Sequence, residues 1–311
     1  MSFLVELGKG AYRKHNMDRF TPASGFSIDN ARAMMWMSQL AYETAHEDKI
    51  TKILDDWGMR NLAVSDNKVG NRFPPLSACF VAAECRGATI IAFAGSDPLE
   101  LEDWITDFMA LPSPTALHSG FERALGTVWS KLQQLIAQPN AQNGKTLFFT
   151  GHSLGGALAI LAAERTKREL QAQATAVYTF GSPRTGVADF FDKYTPSLGN
   201  STFRLVHGTD IVPTVPPALP SGFRHVGQAI ICKTDGFFGE NPELREREGN
   251  EPNLLASAVQ AAVADLRALT SFRFFRGIGP RTLDRLAGVL PRIMRDHVPA
   301  NYFRALSIPL T

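Results

Sequence analysis

A serine between two glycines, Gly151-His152-Ser153-Leu154-Gly155, stands where an apolar run (TLFF, 146–149) ends and a small-residue helical pattern begins. A strand, a sharp turn and a helix would hold the Ser153 hydroxyl clear of the backbone and within reach of a base. Side chains at Gly151 or Gly155 would collide with neighbouring strand or helix atoms, so both glycines have a steric reason. The amides that follow are the unpaired donors of a helix N-terminus, suited to negative charge developing on a substrate oxygen. The chemistry this implies is nucleophilic attack by a serine. A glycine-rich turn before a core helix is the plainer alternative, and the residues on both sides favour the nucleophile.

A serine hydroxyl is a poor nucleophile until a base takes its proton, and that base needs a third group to hold its tautomer. The chain has seven histidines. His152 faces the packing side of the motif, His118 starts a helical pattern, His15 and His46 lie away from strand ends, and His207 lies inside an expected strand. His225 and His297 remain. His225 falls within another expected strand, whereas His297 sits in a late loop before Pro299, so His297 is the better placed and His225 the alternative. For the orienting acid, Asp210 at a strand end outranks Asp189 and Asp192, which read as exposed helix positions. Asp296, beside His297, reads as a neighbour or a cap.

The elements that must carry these groups alternate between strand and helix. Residues 1–26 lack periodicity. Ser27 reads as the N-cap of a helix with Ala31, Met34, Met37 (or Trp36), Leu40 and Ala41 on one face, and Ile50, Ile53, Leu54 and Trp57 mark a second. SACFVAAE and ATIIAFA read as strands about the turn Arg86-Gly87. The second ends at Gly95-Ser96, where an oxyanion donor could be placed. Residues 98–107 mix Leu99, Leu101, Trp104 and Ile105 with four acids, as a lid or a surface helix would. A helix is expected over 118–138, then the Ser153 strand and helix, a strand over 174–180, a short helix with Phe190 and Phe191, and a strand over 202–208. FRHVGQAIICK (223–233) reads as a last strand. Helices of this length between strands imply crossovers and a mostly parallel sheet, whose sites gather at strand carboxyl ends. Ser96, Ser153 and Asp210 all fall just past such ends.

Beyond residue 234 the character changes. A polar stretch over 235–252 precedes two helical patterns, one with Leu255, Val259, Ala262, Leu266 and Leu269 and one with Leu283, Leu286, Leu290 and Ile293. From Ala264 onward there are eight arginines against three aspartates. These read first as a solvated face over packed helices, and second as a transient contact with a lipid surface.

The chain of 311 residues can bury a substantial core, and one domain over 1–311 is expected. With 44% hydrophobic and 20% charged residues it is ordinary for a globular chain, and a net charge of +2 gives no reason to expect nucleic acid. The longest uncharged apolar run, Leu154 to Ala163, is ten residues, about half of a bilayer span. No transmembrane segment is therefore expected. The N-terminus lacks the apolar core of a secretory signal, which suggests a cytoplasmic protein, or one exported without a leader or with it removed. Cys79, Cys85 and Cys232 read as buried reduced thiols. No metal-ligand spacing is present, and no metal or cofactor is expected.

Taken in order, AFAGS (92–96), HSGF (118–121), GHSLGG, FGSPRTG (180–186), HGTDIVPTVPP (207–217) and FRHVG (223–227) resemble the class 3 lipase family of triacylglycerol lipases and feruloyl esterases. The resemblance covers roughly residues 30–233 and the end near His297. It implies an α/β-hydrolase fold, a mostly parallel central sheet flanked by helices, with Ser153 as nucleophile, Asp210 as acid and His297 as base. It also implies an oxyanion hole from Ser96 and the Leu154 amide, and a lid after Ser96 containing Leu99, Leu101, Trp104 and Ile105. In that family the histidine of the HVG segment is not the base. Two departures stand out: Ala94 takes the place of an arginine before the oxyanion loop, and some 60 extra residues precede His297, making 234–295 a helical insertion or cap. The activity implied is a serine carboxylic-ester hydrolase without a cofactor, a lipase acting on acylglycerols or other fatty-acyl esters, with transient contact at a lipid interface. An esterase on short-chain or feruloyl esters, or a non-catalytic acyl-binding protein, are the alternatives.

Overall fold

The computed structural model describes residues 7–67, 78–96, 114–137, 146–216, 218, 222–233, 235–239 and 292–309. The side chains of residues 114–118, 292 and 293 are not among them. Leu99, Leu101, Trp104 and Ile105 lie outside the described residues, as does almost all of the expected insertion over 234–295 and its two helical patterns.

Seven strands form one sheet among the described residues, in the spatial order of the sequence: β1 (Arg60–Ser65), β2 (Phe80–Cys85), β3 (Ala88–Phe93), β4 (Thr146–His152), β5 (Ala176–Phe180), β6 (Thr202–His207) and β7 (Gln228–Cys232). β1/β2 and β2/β3 are antiparallel and the other four pairs parallel. The helices α1 (Ile28–Leu40), α2 (Glu47–Asp56), α3 (Pro114–Ile136), α4 (Leu154–Leu170), α5 (Ala188–Leu198), α6 (Arg292–Arg295) and α7 (Pro299–Ala305) flank it.

Strand sequence and sheet order together decide which face each helix covers. Parallel crossovers are almost always right-handed, so successive crossovers that keep stepping in one direction deposit their helices on the same face. Phe121, Leu125 and Leu132 of α3, Ala157 and Leu161 of α4 and Phe190 and Tyr194 of α5 accordingly share one core with Phe93, Phe149 and Val177. The opposite face, lined by Ile90, Ala92, Phe148 and Tyr178, is left to α1, α2 and α7 from the two ends of the chain. Alternate side chains of β3 and β4 thus enter different cores, and β3 is buried at every position.

Several local expectations hold. Ser27 caps α1, its hydroxyl accepting the Asn30 N–H at 3.3 Å, and Met34, Met35 and Met37 are fully buried core residues. Trp36 of α1 packs on Phe303 of α7 with ring centroids 4.4 Å apart, which seats the segment that follows His297. Cys79, Cys85 and Cys232 are buried free thiols.

One strand was not expected, one helix runs on, and the start of one expected strand needs correction. β1 carries no strand pattern in RNLAVS, because an edge strand with mostly half-buried residues has no need of apolar alternation. α4 continues past Glu164 to Leu170, helped by ion pairs from Arg168 to Glu164 and from Arg165 to Glu169. β7 begins at Gln228 rather than Phe223. Gly227 takes φ +78 and packs so tightly on Thr202 that an added Cβ would lie 2.6 Å from its side chain, so the chain turns there and only then joins the sheet.

Candidate active site

β4 delivers His152 to a corner at Ser153, whose φ of 56° and ψ of −129° are a conformation that side chains other than glycine rarely adopt. The surroundings over-determine it. Ser153 N–H donates to the Phe180 carbonyl at 2.9 Å, and Ser153 O accepts from Gly156 N–H at 2.9 Å. The glycines on either side allow this tight crossing. A Cβ on Gly151 would lie 2.2 Å from the Gly155 backbone, and one on Gly155 would lie 2.3 Å from Phe93 O.

Asp210 comes from the loop after β6. Gly208 turns the chain at φ +58 with its N–H on the Cys232 carbonyl, and Asp210 Oδ1 accepts the Val212 N–H at 2.9 Å, closing a tight turn. His297 lies between α6 and α7. Its Nδ1 lies 2.9 Å from both Asp210 oxygens, and its Nε2 lies 2.9 Å from Ser153 Oγ. A carboxylate can only accept, so the proton sits on Nδ1 and the Nε2 lone pair faces the serine O–H. Ser153, Asp210 and His297 are all at most 3% exposed, so these polar contacts are sheltered from water. The arrangement can move a proton from Ser153 to His297 and stabilise the resulting imidazolium against Asp210.

Further groups hold this constellation, and sequence reading did not assign them. Tyr302 of α7 donates its hydroxyl to Asp210 Oδ2 at 2.6 Å. Asp296 Oδ2 accepts both the backbone N–H of Thr209, at 2.8 Å, and its hydroxyl, at 3.0 Å. The residue before His297 therefore grips the residue before Asp210. The ring of His207 donates from Nδ1 to the Asp296 carbonyl at 3.2 Å. Gly181, at φ +57, leaves the space in which Asp210 and His297 meet: a Cβ there would lie 2.6 Å from Asp210 Oδ2 and 3.0 Å from His297 Nδ1. No sequence pattern announces these partners, apart from the Asp296-His297 doublet read as a neighbour or cap.

The other candidates go elsewhere. His225 lies in the loop before β7, where Nε2 donates to the Pro213 carbonyl at 2.7 Å. Its burial first, and then the charges of Arg204 and Arg184, hold its protonation well below the usual histidine range. Asp189 is exposed and paired with Lys193, and Asp192 is exposed. Leu154 opens α4, so its amide is one of the helix-start donors without an intrahelical acceptor. Ser96 follows Gly95, which packs against the corner itself: a Cβ on Gly95 would lie 3.2 Å from Ser153 Cβ. Ser96 is half-buried, and Ala94, where the family resemblance leads one to expect arginine, is buried. Among the described residues no group of histidines, cysteines and acids could hold a metal ion, and no helix is long and apolar enough to cross a membrane.

Residues 90–219 match the model of the family described as Lipase (class 3). The chain is 32% identical over 154 residues to the secreted mono- and diacylglycerol lipase 1 of Fusarium solani, covering 47% of this chain and 44% of that protein. It is 26% identical over 274 residues to triacylglycerol lipase OBL1 of Arabidopsis thaliana, covering 70% of this chain and 52% of that one. A lipase of Rhizomucor miehei is 36% identical over 148 residues, or 44% and 40% of the two chains. This chain thus spans about half or less of the length of these relatives. Among solved structures it resembles the Rhizomucor miehei lipase propeptide complex, with TM-score 0.51 and 25% identity over 65% of this chain and 66% of that one. The lipase from Rhizopus microsporus var. chinensis, 19% identical over 70% and 76% of the two chains with TM-score 0.53, supports the fold alone. The architecture is that of the α/β-hydrolases.

Proposed function

We infer that this chain, whose residues 90–219 match the class 3 lipase family, is a serine carboxylic-ester hydrolase acting on acylglycerols or other fatty-acyl esters. The observation that carries this reading is the unbroken path from Ser153 Oγ through the His297 ring to the Asp210 carboxylate, each contact at 2.9 Å. The names of the relatives, lipases of mono-, di- and triacylglycerols, support the substrate class.

In this mechanism Ser153 Oγ attacks the ester carbonyl while His297 Nε2 takes its proton, and the imidazolium is steadied by Asp210. The negative oxygen of the tetrahedral intermediate accepts from the Leu154 amide and from Ser96, the former helped by the N-terminal dipole of α4. His297 returns the proton to the departing alcohol, leaving an acyl-serine. A water then gives its proton to the same Nε2 and attacks the acyl carbon, and His297 passes that proton to Ser153 Oγ as the acyl–oxygen bond breaks, releasing the acid and restoring the serine. No cofactor enters the cycle. We assign contact with the acyl chain or a lid role to Leu99, Leu101, Trp104 and Ile105, on the strength of their amphipathic spacing, and expect transient contact with a lipid interface.

The test is Ser153→Ala with p-nitrophenyl esters from short to long chain, alongside labelling by a fluorophosphonate. Turnover should fall on the order of 10⁶-fold, as when other serine nucleophiles are removed, and the label should attach to Ser153 in the unmutated protein. Activity retained in Ser153→Ala would refute the reading. Rates that favour only short, soluble esters would leave an esterase in place of a lipase.

A further inference from the structure

His152, next in the chain to Ser153, is fully buried, and its ring is engaged at both nitrogens. Nε2 lies 2.8 Å from the backbone carbonyl of His297, and Nδ1 lies 2.7 Å from the hydroxyl of Tyr42. The carbonyl can only accept, so Nε2 carries the hydrogen, and the Nδ1 lone pair must take the Tyr42 O–H. One tautomer satisfies both contacts. Burial, and then the nearby His297, keep this ring neutral by holding its protonation well below the usual histidine range. The two imidazoles also lie against each other, tilted, with centroids 4.6 Å apart and planes at 34°.

His297 needs such a hold. It sits between the end of α6 at Arg295 and the start of α7 at Pro299, in the turn that joins them. Asp210 orients the ring of His297 but does not fix the distance of its Cα from the serine corner. The His152 contact spans 145 residues of sequence and joins the corner that presents the nucleophile directly to the main chain of its base. The space for Tyr42 is also provided: a Cβ on Gly95 would lie 2.3 Å from the Tyr42 hydroxyl and 2.6 Å from His152 O. The glycine that precedes Ser96 is thus required on this side too.

We propose that His152 is a positioning residue, whose Nε2–H holds the His297 main chain at a fixed distance from Ser153 while Tyr42 holds the His152 ring in the tautomer that can do so. The proposal rests on the reading of Ser153 and His297 as nucleophile and base. Displacing a catalytic group by about 1 Å can cost on the order of 10²-fold in rate. His152→Ala should therefore lower kcat by about 10- to 100-fold with KM changed less than about twofold, and should slow fluorophosphonate labelling of Ser153 by the same factor. His152→Gln, whose carboxamide N–H can reach the same carbonyl, should recover most of that loss. Tyr42→Phe, which keeps the ring but removes its orienting donor, should fall between.

The variants are compared with Ser153→Ala and His297→Ala, at a temperature where circular dichroism shows each folded. If those two are inactive while His152→Ala keeps the unmutated kcat, positioning by His152 is wrong and the site reading stands. If they keep activity, the site reading itself has failed. If His152→Gln is no better than His152→Ala, the N–H contact is not what matters and the proposal is overturned. Should His152→Ala not fold, Tyr42→Phe decides: a several-fold loss of kcat at constant KM supports the proposal, and an unchanged kcat overturns it.

Discussion

Tyr302 reaches from α7 to donate its hydroxyl to Asp210 Oδ2 at 2.6 Å, while the Tyr302 hydroxyl oxygen accepts the backbone N–H of His207 at 3.2 Å. Burial first, and the Asp210 charge second, push the ionisation of this phenol well above its usual range, so it remains a donor. Asp210 therefore receives Val212, His297 and Tyr302, and the carboxylate is held from three directions. A hydrogen bond to a charged group contributes about 1.5–3 kcal/mol. Tyr302→Phe is expected to lower kcat by about tenfold or somewhat more, since about 1.4 kcal/mol is one factor of ten. Steady-state kinetics on a p-nitrophenyl ester checks this, with a KM little changed.

The two histidines weighed as the base, His297 first and His225 second, separate cleanly. His297→Ala should lose on the order of 10⁶-fold in kcat, as removal of the base does in comparable sites. His225→Ala should keep near-normal kcat but unfold more readily, because the Pro213 carbonyl loses its donor inside the protein, at a cost of about 1–3 kcal/mol. Kinetics and thermal melts on the two variants, side by side, give opposite patterns if the assignment is right.

Two glycines make a matched pair for packing. Gly155→Ala would push a methyl to within 2.3 Å of Phe93 O, an atom of the central sheet that cannot move aside. A loss of about 3 kcal/mol or more is expected, the upper end for overpacking. Gly126, exposed in α3, has nothing within 4 Å of an added Cβ, so Gly126→Ala should raise stability by about 0.5–1 kcal/mol. Urea denaturation of both variants measures the contrast.

Acid should weaken the fold through two buried rings. His152 and His225 both resist protonation in the folded protein, whereas in the unfolded chain each takes a proton near the ordinary value of about 6.5. Their folded values are depressed, so the stability they permit is fully present above pH ~6.5 and is lost progressively below it, as the unfolded chain gains protons that the folded one refuses. Melting temperature should fall between pH ~7 and ~5, and the fall should be shallower in His225→Gln. Scanning calorimetry across that range tests it.

Much of this site could be read before any coordinates. The GHSLGG corner, the acid after β6 and the order of strands and helices depend on contacts only a few residues apart. Steric exclusion at Gly151 and Gly155 and the strand-to-helix reversal at Ser153 leave the chain almost no other course. Ser27 as a cap and the methionines of α1 as core followed from the same short-range logic. β1 escaped because a half-exposed edge strand needs no apolar pattern, and the start of β7 was misplaced because the turn at Gly227 depends on Thr202, 25 residues earlier.

What belonged to the tertiary structure alone were the supporting roles of Tyr302, Asp296 and His152, and the packing that carries His297, already ranked above His225 from the sequence, to the serine. Residue type makes each histidine a competent base. Which one meets Ser153 depends on how α6 and α7 fold back onto α1, where Phe303 packs against Trp36. Contacts that join positions some 90 to 145 residues apart carry no local spacing rule, because their distance is set by the packing of whole elements and not by the geometry of neighbouring residues.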